Sequence, residues 1–400
     1  MVMRAILDDI AGFVEQNKEE MVKWRRHLHQ NPELSFHEEE TSQFVYETLQ
    51  SFGNLEVTRP TTTSVMVRLV GEHPGETIAF RADMDALPIQ EENTFEFVSK
   101  NPGVMHACGH DGHTAMLLCT AKILSGLKDQ INGEIRFLFQ HAEELPPGGA
   151  IQMVEAGVMD GADKVIGLHL LPTMETGTLA VDSGPMQSAV DNFDIKIIGK
   201  GGHGASPHET IDSLAIASQV VSNLQHIVSR NTDPFDVLAL SVTKINSGAV
   251  DSTAAYNVIP ETIELGGTVR SFNTELLGTI PNVMERIIKG ITDAHGATYE
   301  FQYKKGYLPV INDEQVSGQV RESLIEVFGE ENVQKAKAIM PGEDFSVFLQ
   351  KAPGTYFYVG DGNKEKGMVY PLHHPRYTID EDALEIGVKA FINIAFKLLK

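Results

Sequence analysis

Cysteine is scarce in this sequence, which has only two among its 400 residues, Cys108 and Cys119. Cys119 falls in a predicted helix, so the pair offers no framework of disulfides like those that hold small secreted domains together. A long apolar run is also absent from the first twenty residues, where acids interrupt the apolar periodicity. This stretch is therefore predicted to be neither a signal peptide nor a membrane span. We predict a cytoplasmic protein.

Basic residues are in deficit. The chain has 32 lysines and arginines against 55 acidic residues, which gives a formal net charge of −23. Such a negative surface repels phosphate backbones and disfavours nucleic-acid binding. The remaining composition, 42% apolar and 22% charged, is that of a globular protein without a membrane partner. A length of 400 residues favours two domains over a single core.

The hydrophobic patterns predict an α/β fold in two parts. Helical periodicity covers residues 2–29, and short apolar strands are predicted at 77–80, 134–140 and 164–171. We expect a mixed sheet flanked by helices over residues 1–189 and 306–400. Residues 190–305 follow the order β-α-β-β-α-β, with a long helix at 210–230, and so predict an inserted ferredoxin-like domain.

The stretch MHACGHDGHTA, residues 105–115, concentrates one cysteine and three histidines around two glycines. Glycine allows a tight turn, which would let Cys108 and His110 face one point. Thiolate sulfur and imidazole nitrogen are ligands that zinc and similar metals favour. The alternative is a polar loop whose histidines cap and bond locally, and the stretch alone does not decide between them.

Polar side chains also follow the predicted strands. Asp83 and Asp85 come after the first, Glu143 and Glu144 after the second, and His169 lies within the third. Sites in open α/β sheets lie beyond the carboxyl ends of the strands. A turn rich in aspartate, a solvated pair of glutamates and a core histidine are the respective alternatives. Three strands that carry carboxylates or a histidine at or near their ends, together with the Cys-His loop, favour a metal site over these alternatives.

Assembled, the motifs resemble the zinc-metallopeptidase superfamily of aminoacylases, carboxypeptidase G and plant auxin-conjugate hydrolases. The amidohydrolase branch, with hippurate hydrolases and N-acyl-amino-acid deacetylases, is the most similar. The resemblance spans nearly the whole chain and rests on these segments: RRHLHQNPELSF, RADMDALPI, MHACGHDGHTA, HAEE, GLHL, GKGGHGASPH, NVIP, GTVRSF, GEDFS and LHHP.

The resemblance implies a catalytic metal-binding domain with two divalent ions of zinc, manganese, cobalt or nickel. The ligands that it implies are Cys108, His110, Glu144, His169 and His373. Glu143 would be the general base and Asp85 would orient the site. Peptidase members carry H-x-D where this chain has Asp83-Met84-Asp85, so one ligand of that branch is missing and Asp83 has no assigned role.

The inserted domain would act as a lid and dimerisation domain. By the resemblance, its His203 would stabilise the oxyanion, often across a dimer interface, while Asn257 and Arg270 would hold the carboxylate and backbone of the substrate. The alternatives are a helix-cap histidine, a turn before Pro260 and a surface salt bridge. Pairing with a second copy would cover the open edge of the domain's sheet, so we expect a homodimer, or a tetramer built from it.

These expectations favour an enzyme that hydrolyses the amide bond of N-acyl amino acids, either N-acetyl or N-aroyl, to a carboxylate and a free amino acid. A metallo-aminopeptidase or dipeptidase on the same scaffold is the alternative enzyme. A metal-dependent binding protein without catalysis is a third possibility, which the presence of Glu143 beside Glu144 disfavours.

Overall fold

The computed structural model describes residues 2–247 and 255–399. The chain forms two compact units. The first comprises Met1–Met186, Ile311–Lys337 and Asp344–Lys400, and the second comprises Gln187–Val310 and Ala338–Glu343. The inserted domain predicted at 190–305 falls within the second unit, which also includes a short segment from much later in the chain.

The helices are α1 (Val2–Gln30), α2 (Glu39–Gln50), α3 (His110–Ser125), α4 (Gly149–Glu155), α5 (Ser213–His226), α6 (Thr274–His295), α7 (Glu314–Phe328), α8 (Ser346–Leu349) and α9 (Asp382–Leu398). The strands are β1 (Glu56–Thr58), β2 (Val65–Val70), β3 (His73–Asp83), β4 (Asn132–Gln140), β5 (Lys164–Glu175), β6 (Leu179–Ala180), β7 (Gly184–Gln187), β8 (Ala189–Ile198), β9 (Gly202–His203), β10 (Leu238–Asn246), β11 (Val258–Ile259), β12 (Thr262–Ser271), β13 (Thr298–Lys304), β14 (Val310–Asn312), β15 (Val333–Gln334) and β16 (Gly354–Gly362).

The first unit is built on an eight-stranded mixed sheet in the order β1-β2-β4-β3-β5-β16-β6-β15. Its four central strands, β4, β3, β5 and β16, run parallel. Strand β16, with the sequence GTYFYVGDG, is buried along its whole length, as expected for a parallel strand covered on both faces. Helices α1, α3 and α9 pack on one another, and α3 and α9 also contact central strands. The predicted mixed α/β sheet is therefore confirmed.

The second unit has its own four-stranded antiparallel sheet, in the order β10-β12-β8-β13. Buried and more exposed side chains alternate along β8, which is typical of a sheet covered on one face. Helices α5 and α6 contribute to the apolar core of this unit together with the sheet. The side chain of Asn273 begins α6 by accepting hydrogen bonds from two backbone amides of the first turn.

The helix predicted at 2–29 agrees with α1 (Val2–Gln30), but the helix predicted at 210–230 is shorter. It begins at Ser213, because the Asp212 carboxylate accepts the amides of Leu214 and Ala215 and so caps the helix there. After His226 the α-helix is followed by a π-helical turn, Ile227–Asn231. Within residues 2–247 and 255–399, no helix has the length and apolar character needed to cross a membrane.

Two adjacent glycines in β12 give a stability test for the second unit. A methyl group at Gly267 would overlap the carbonyl oxygen of Ser241 and the ring of Phe193, whereas the nearest atom to a methyl at Gly266 is 3.3 Å away, on Asp194. We expect Gly267→Ala to lower the free energy of unfolding by about 1–3 kcal/mol because the neighbouring backbone must move. The matched variant Gly266→Ala should change it little. Urea unfolding measures both, and equal stabilities would contradict the packing described here.

Candidate metal centre and active site

The site residues of the first unit lie at one edge of its sheet. Asp83, the last residue of β3, is level with Gln140, the last residue of β4. Arg81 is level with Gly167 of β5, two residues before His169. Because these strands are parallel, the segments that follow β3 and β4 emerge beside His169. The sheet therefore brings the predicted carboxylates and imidazole to the same place.

Gly109 shapes the turn that carries the cysteine and histidine. Its φ is 87°, in the left-handed region that favours glycine. A β-carbon there would lie 3.0 Å from the Tyr377 hydroxyl and 3.4 Å from Leu170, so space is limited as well. The next residue, His110, begins the buried helix α3. Cys108 and His110 are thus held on either side of a turn that a larger residue would distort.

The five residues predicted as ligands come together in two groups of three. In the first group, the potential ligand atoms of Cys108, His110 and His169 all lie within 4.8 Å of one another. Cys108, Glu144 and His373 form a second group with the same spacing. The Cys108 sulfur lies 3.5 Å from Nε2 of His169, and Nε2 of His373 lies 3.2 Å from Oε1 of Glu144. Cys108 belongs to both groups.

Hydrogen bonds orient the two buried histidines. Nδ1 of His169 donates to the carbonyl oxygen of Leu170 at 2.6 Å, and Nδ1 of His110 donates to that of Asp85 at 2.9 Å. Each ring therefore directs Nε2 towards the group. Nε2 of His110 and Oε1 of Glu144 are buried and make no hydrogen bond, although the Glu144 oxygen is in ion-pair contact with His373. Buried polar atoms normally have partners, so these ligand-type atoms fit a bound cation.

A cation would have to compete with protons for His110 and Cys108, because the surroundings of both side chains favour their protonated forms. Burial lowers the pKa of His110, but the carboxylates of Asp83 and Asp85 outweigh it and raise the pKa to about 10. Burial, reinforced by Glu144, raises the pKa of the Cys108 thiol well above its ordinary value. Without a cation both groups hold their protons at neutral pH. A metal ion has to displace them, since thiolate and neutral imidazole are the ligating forms.

His113 and Asp83 are near the group but are already engaged. Nε2 of His113 accepts the amide of Leu170 at 3.0 Å, and its Nδ1 donates to Oδ1 of Asp83 at 2.6 Å. Oδ2 of Asp83 accepts Nη1 of Arg81 at 2.6 Å. The atoms of these two residues and His110 are close enough for a metal, but His113 has no nitrogen left to offer. Asp83 instead links a buried arginine to a buried histidine, a role that the sequence did not indicate.

Asp85 holds the turn that follows β4. Its Oδ2 accepts the Ser35 hydroxyl at 2.6 Å and the Glu144 amide at 3.0 Å, and its Oδ1 lies 3.3 Å from Nδ1 of His110. Two residues earlier in the turn, the amide of Ala142 donates to Oε1 of Glu38 at 2.7 Å. Glu143, which is 6% exposed, stands between the two fixed amides.

Sequence reasoning missed Ser35 and Glu38. Both belong to the stretch NPELSFHEEE, which joins α1 to α2 and in which no site residue was predicted. Burial, and next the charge of Asp85, raise the pKa of Glu38 to about 7. The only available signal was an unexplained cluster of acids between two helices.

The remaining predicted site residues belong to the second unit. His203 in β9 is paired with β11, and the amide of Gly204 donates to the carbonyl of Asn257 at 2.7 Å. Both His203 and Asn257 are exposed. Arg270, in β12, donates to the Thr268 hydroxyl, and burial lowers the pKa of its guanidinium.

The alternative in which His203 caps a helix is wrong. Its Nδ1 accepts the amide of Ala205 at 3.0 Å within the local loop, while Asp212 caps α5. Asn257 does lie in the turn just before β11, as its own alternative required.

A mixed sheet whose edge gathers a cysteine, histidines and paired glutamates is typical of metal-dependent hydrolases. Residues 79–397 match peptidase family M20/M25/M40, and the chain belongs to this family. The resemblance drawn from the motifs is thus confirmed. Membership in a peptidase family, with this arrangement of residues, identifies a hydrolytic enzyme that acts on amide bonds.

Three relatives illustrate the family's range. An N-acyl-L-amino acid amidohydrolase from Geobacillus stearothermophilus is 65% identical over 305 residues, 76% of this chain and 81% of that protein. Thermostable carboxypeptidase 2 from Saccharolobus solfataricus is 41% identical over 395 residues, 98% of each. The solved structure of Bacillus subtilis YXEP, described as a dinuclear metal binding peptidase from the M20 family, has a TM-score of 0.82 at 34% identity and covers 96% of this chain and 99% of that one.

The buried arginine beneath the site can be tested by comparison with an exposed one. Arg81 is fully buried and bonds to the buried carboxylates of Asp83 and Asp344, whereas Arg376 and Glu92 form a pair with about half of each side chain exposed. We expect Arg81→Met to lower the free energy of unfolding by about 3–5 kcal/mol, because two buried carboxylates lose their counter-charge. Arg376→Met should change the free energy of unfolding much less, because water solvates its exposed ion pair. Similar losses in urea unfolding would show that Arg81 does not offset those charges.

Proposed function

We propose that the chain hydrolyses the amide bond of N-acyl amino acids, N-acetyl or N-aroyl, to a carboxylate and a free amino acid. The observation that carries the proposal is the meeting of two ligand groups at Cys108 with Glu143 beside them. The 65% identity to an N-acyl-L-amino acid amidohydrolase supports the choice of substrate class.

The residues present fit two divalent metal ions per subunit. Cys108, His110 and His169 would hold one ion, and Cys108, Glu144 and His373 the other. When bound, such ions supply Lewis acidity towards a carbonyl oxygen and an attacking water. Zinc, manganese, cobalt and nickel all suit this mixed donor set, so it does not select among them.

Glu143 would move the proton. Its side chain is buried beside the ligand groups, where a carboxylate can take a proton from the attacking water and deliver it to the departing nitrogen. The carboxylate oxygens of Glu143 and Glu144 and a nitrogen of His110 lie within 4.8 Å of one another, so Glu144 would bind metal while Glu143, beside it, acts as the base. Asp85 would orient His110, since its backbone carbonyl accepts the Nδ1 proton of that ring.

The second unit would supply substrate contacts. We assign it the part of a ferredoxin-like lid and dimerisation domain, which its βαββαβ order supports. Arg270 has the planar fork that binds a carboxylate bidentately, and Asn257 would hold the substrate backbone. His203 would stabilise the oxyanion from the second subunit of a homodimer, which could assemble further into a tetramer. A cytoplasmic location suits the two unpaired cysteines.

Peptide hydrolysis is the alternative, and it is favoured by one observation. A carboxypeptidase from Saccharolobus solfataricus is 41% identical over 98% of the chain. A C-terminal residue of a peptide and an N-acyl amino acid share a free carboxylate next to the cleaved amide, so the two substrate classes present the same group to Arg270.

The activity is tested by assaying protein loaded with each of the four metals against N-acetyl, N-benzoyl and indole-acyl amino acids and against dipeptides. We expect turnover of the acyl amino acids, and Glu143→Gln should lower kcat by about 10²–10⁴-fold with its metal content retained. The neighbouring variant Glu144→Gln should instead lose metal. Cleavage of dipeptides alone, or near-full activity of Glu143→Gln, would contradict the assignment.

The role of the second subunit is tested by mixing two inactive variants, Glu143→Gln and His203→Ala. If His203 acts across a two-fold dimer, one of the two sites in each mixed dimer is intact. Random mixing should then restore about a quarter of the wild-type activity. If the subunits exchange and no activity is recovered, His203 does not act on the active site of the other subunit.

A further inference from the structure

The turn that carries the proposed base has an unfavourable backbone conformation. Ala142 has a φ of 50°, in the left-handed region that a residue with a β-carbon seldom adopts. Its carbonyl accepts the amide of Gly149, which closes the loop behind it. The direction of the Glu143 side chain therefore depends on a residue that neighbouring contacts must hold in place.

Two carboxylates pin the backbone on either side of the base. The Ala142 amide donates to Oε1 of Glu38 at 2.7 Å, and the Glu144 amide donates to Oδ2 of Asp85 at 3.0 Å. The residue between these amides is Glu143. A shift of either anchor would move its carboxylate relative to the ligand groups.

Glu38 is itself fixed. It has no exposed surface, and its Oε2 accepts the Thr63 hydroxyl at 3.0 Å. Its Oε1 also accepts the amide of Phe36 at 3.0 Å, and Phe36 is left-handed as well, with a φ of 68°. One carboxylate oxygen therefore holds two strained residues, Phe36 and Ala142, that are more than 100 positions apart in the chain.

We propose that Glu38 is a positioning residue that sets the place of Glu143 through the Ala142 amide. This inference rests on the proposed function, because it takes Glu143 as the base. Glu38 lies between α1 and α2, so the N-terminal segment of the chain would complete the site. The position of Glu143 would depend on the length of the Glu38 side chain, which brings its oxygen to the Ala142 amide, and not on the charge of the carboxylate.

Two substitutions at Glu38 separate the effect of side-chain length from the effect of charge. Glu38→Asp keeps the carboxylate but is one methylene shorter, so it should release the Ala142 amide. We expect kcat to fall by about tenfold to a hundredfold, as for a small displacement of a catalytic group, with KM and metal content nearly unchanged. Glu38→Gln keeps the length and an accepting oxygen without the charge, and should retain at least about a third of kcat.

Glu33 provides the matched control. It lies in the same segment and its carboxylate also accepts two backbone amides, those of Glu40 and Thr41, at the start of α2. Glu33→Ala should lower the free energy of unfolding, as the loss of a helix-capping contact does, and leave kcat unchanged at temperatures where the protein is folded.

Hydrogen exchange of the peptide that spans Ala142 gives a readout that needs no substrate. Exchange should be faster than wild type in Glu38→Asp and like wild type in Glu38→Gln and Glu33→Ala. Wild-type kcat and exchange in Glu38→Asp would overturn the proposal, and so would a Glu38→Gln variant as impaired as Glu38→Asp. If the wild-type enzyme cleaves no N-acyl amino acid, the proposed function fails, while the exchange data still decide whether Glu38 holds the turn.

Discussion

Repulsion among buried carboxylates is the constraint on which the first unit depends. Asp83, Asp85, Glu143 and Asp344 are all buried at one edge of the sheet, with Glu144 close by. Charges of one sign in a poorly solvated place raise the free energy unless cations or hydrogen-bond donors offset them. Arg81 offsets the charges of Asp83 and Asp344. The Ser35 hydroxyl and the Glu144 amide donate to Asp85.

The donor atoms at this edge divide into two kinds. Those of His113 and Asp83 are consumed by the protein itself, through Leu170 and Arg81. Nε2 of His110 and Oε1 of Glu144 remain buried without a hydrogen bond. The bonded atoms make the site rigid, and the unbonded atoms are available to a metal ion. The ligands are therefore already oriented, and little reorganisation accompanies binding.

Much of this arrangement could be predicted from sequence because it follows from local pattern. Apolar runs located the central strands, and the rule that sites follow strand ends placed Asp85, Glu144 and His169 together. Side-chain hydrogen bonds between residues far apart in the chain leave no such pattern in the sequence. Nothing in the sequence indicated that His113 bonds the backbone amide of Leu170. Nor did it indicate that Ser35 bonds to Asp85, after β3, or that Glu38 bonds to the turn after β4. The start of α5 at Ser213 depended on which of several polar residues caps it.

The bond between the His373 amide and the carbonyl of Ala107, at 2.7 Å, joins segments from opposite halves of the chain. During synthesis the cysteine loop emerges first, and its partner follows only after the segment Gln187–Val310 has been made. The segment Gln187–Val310, with a core of its own, can fold in between. The proposed donor set, which includes His373, would therefore stay incomplete on the ribosome until the second unit has been made, and the capture of a metal ion would follow that step.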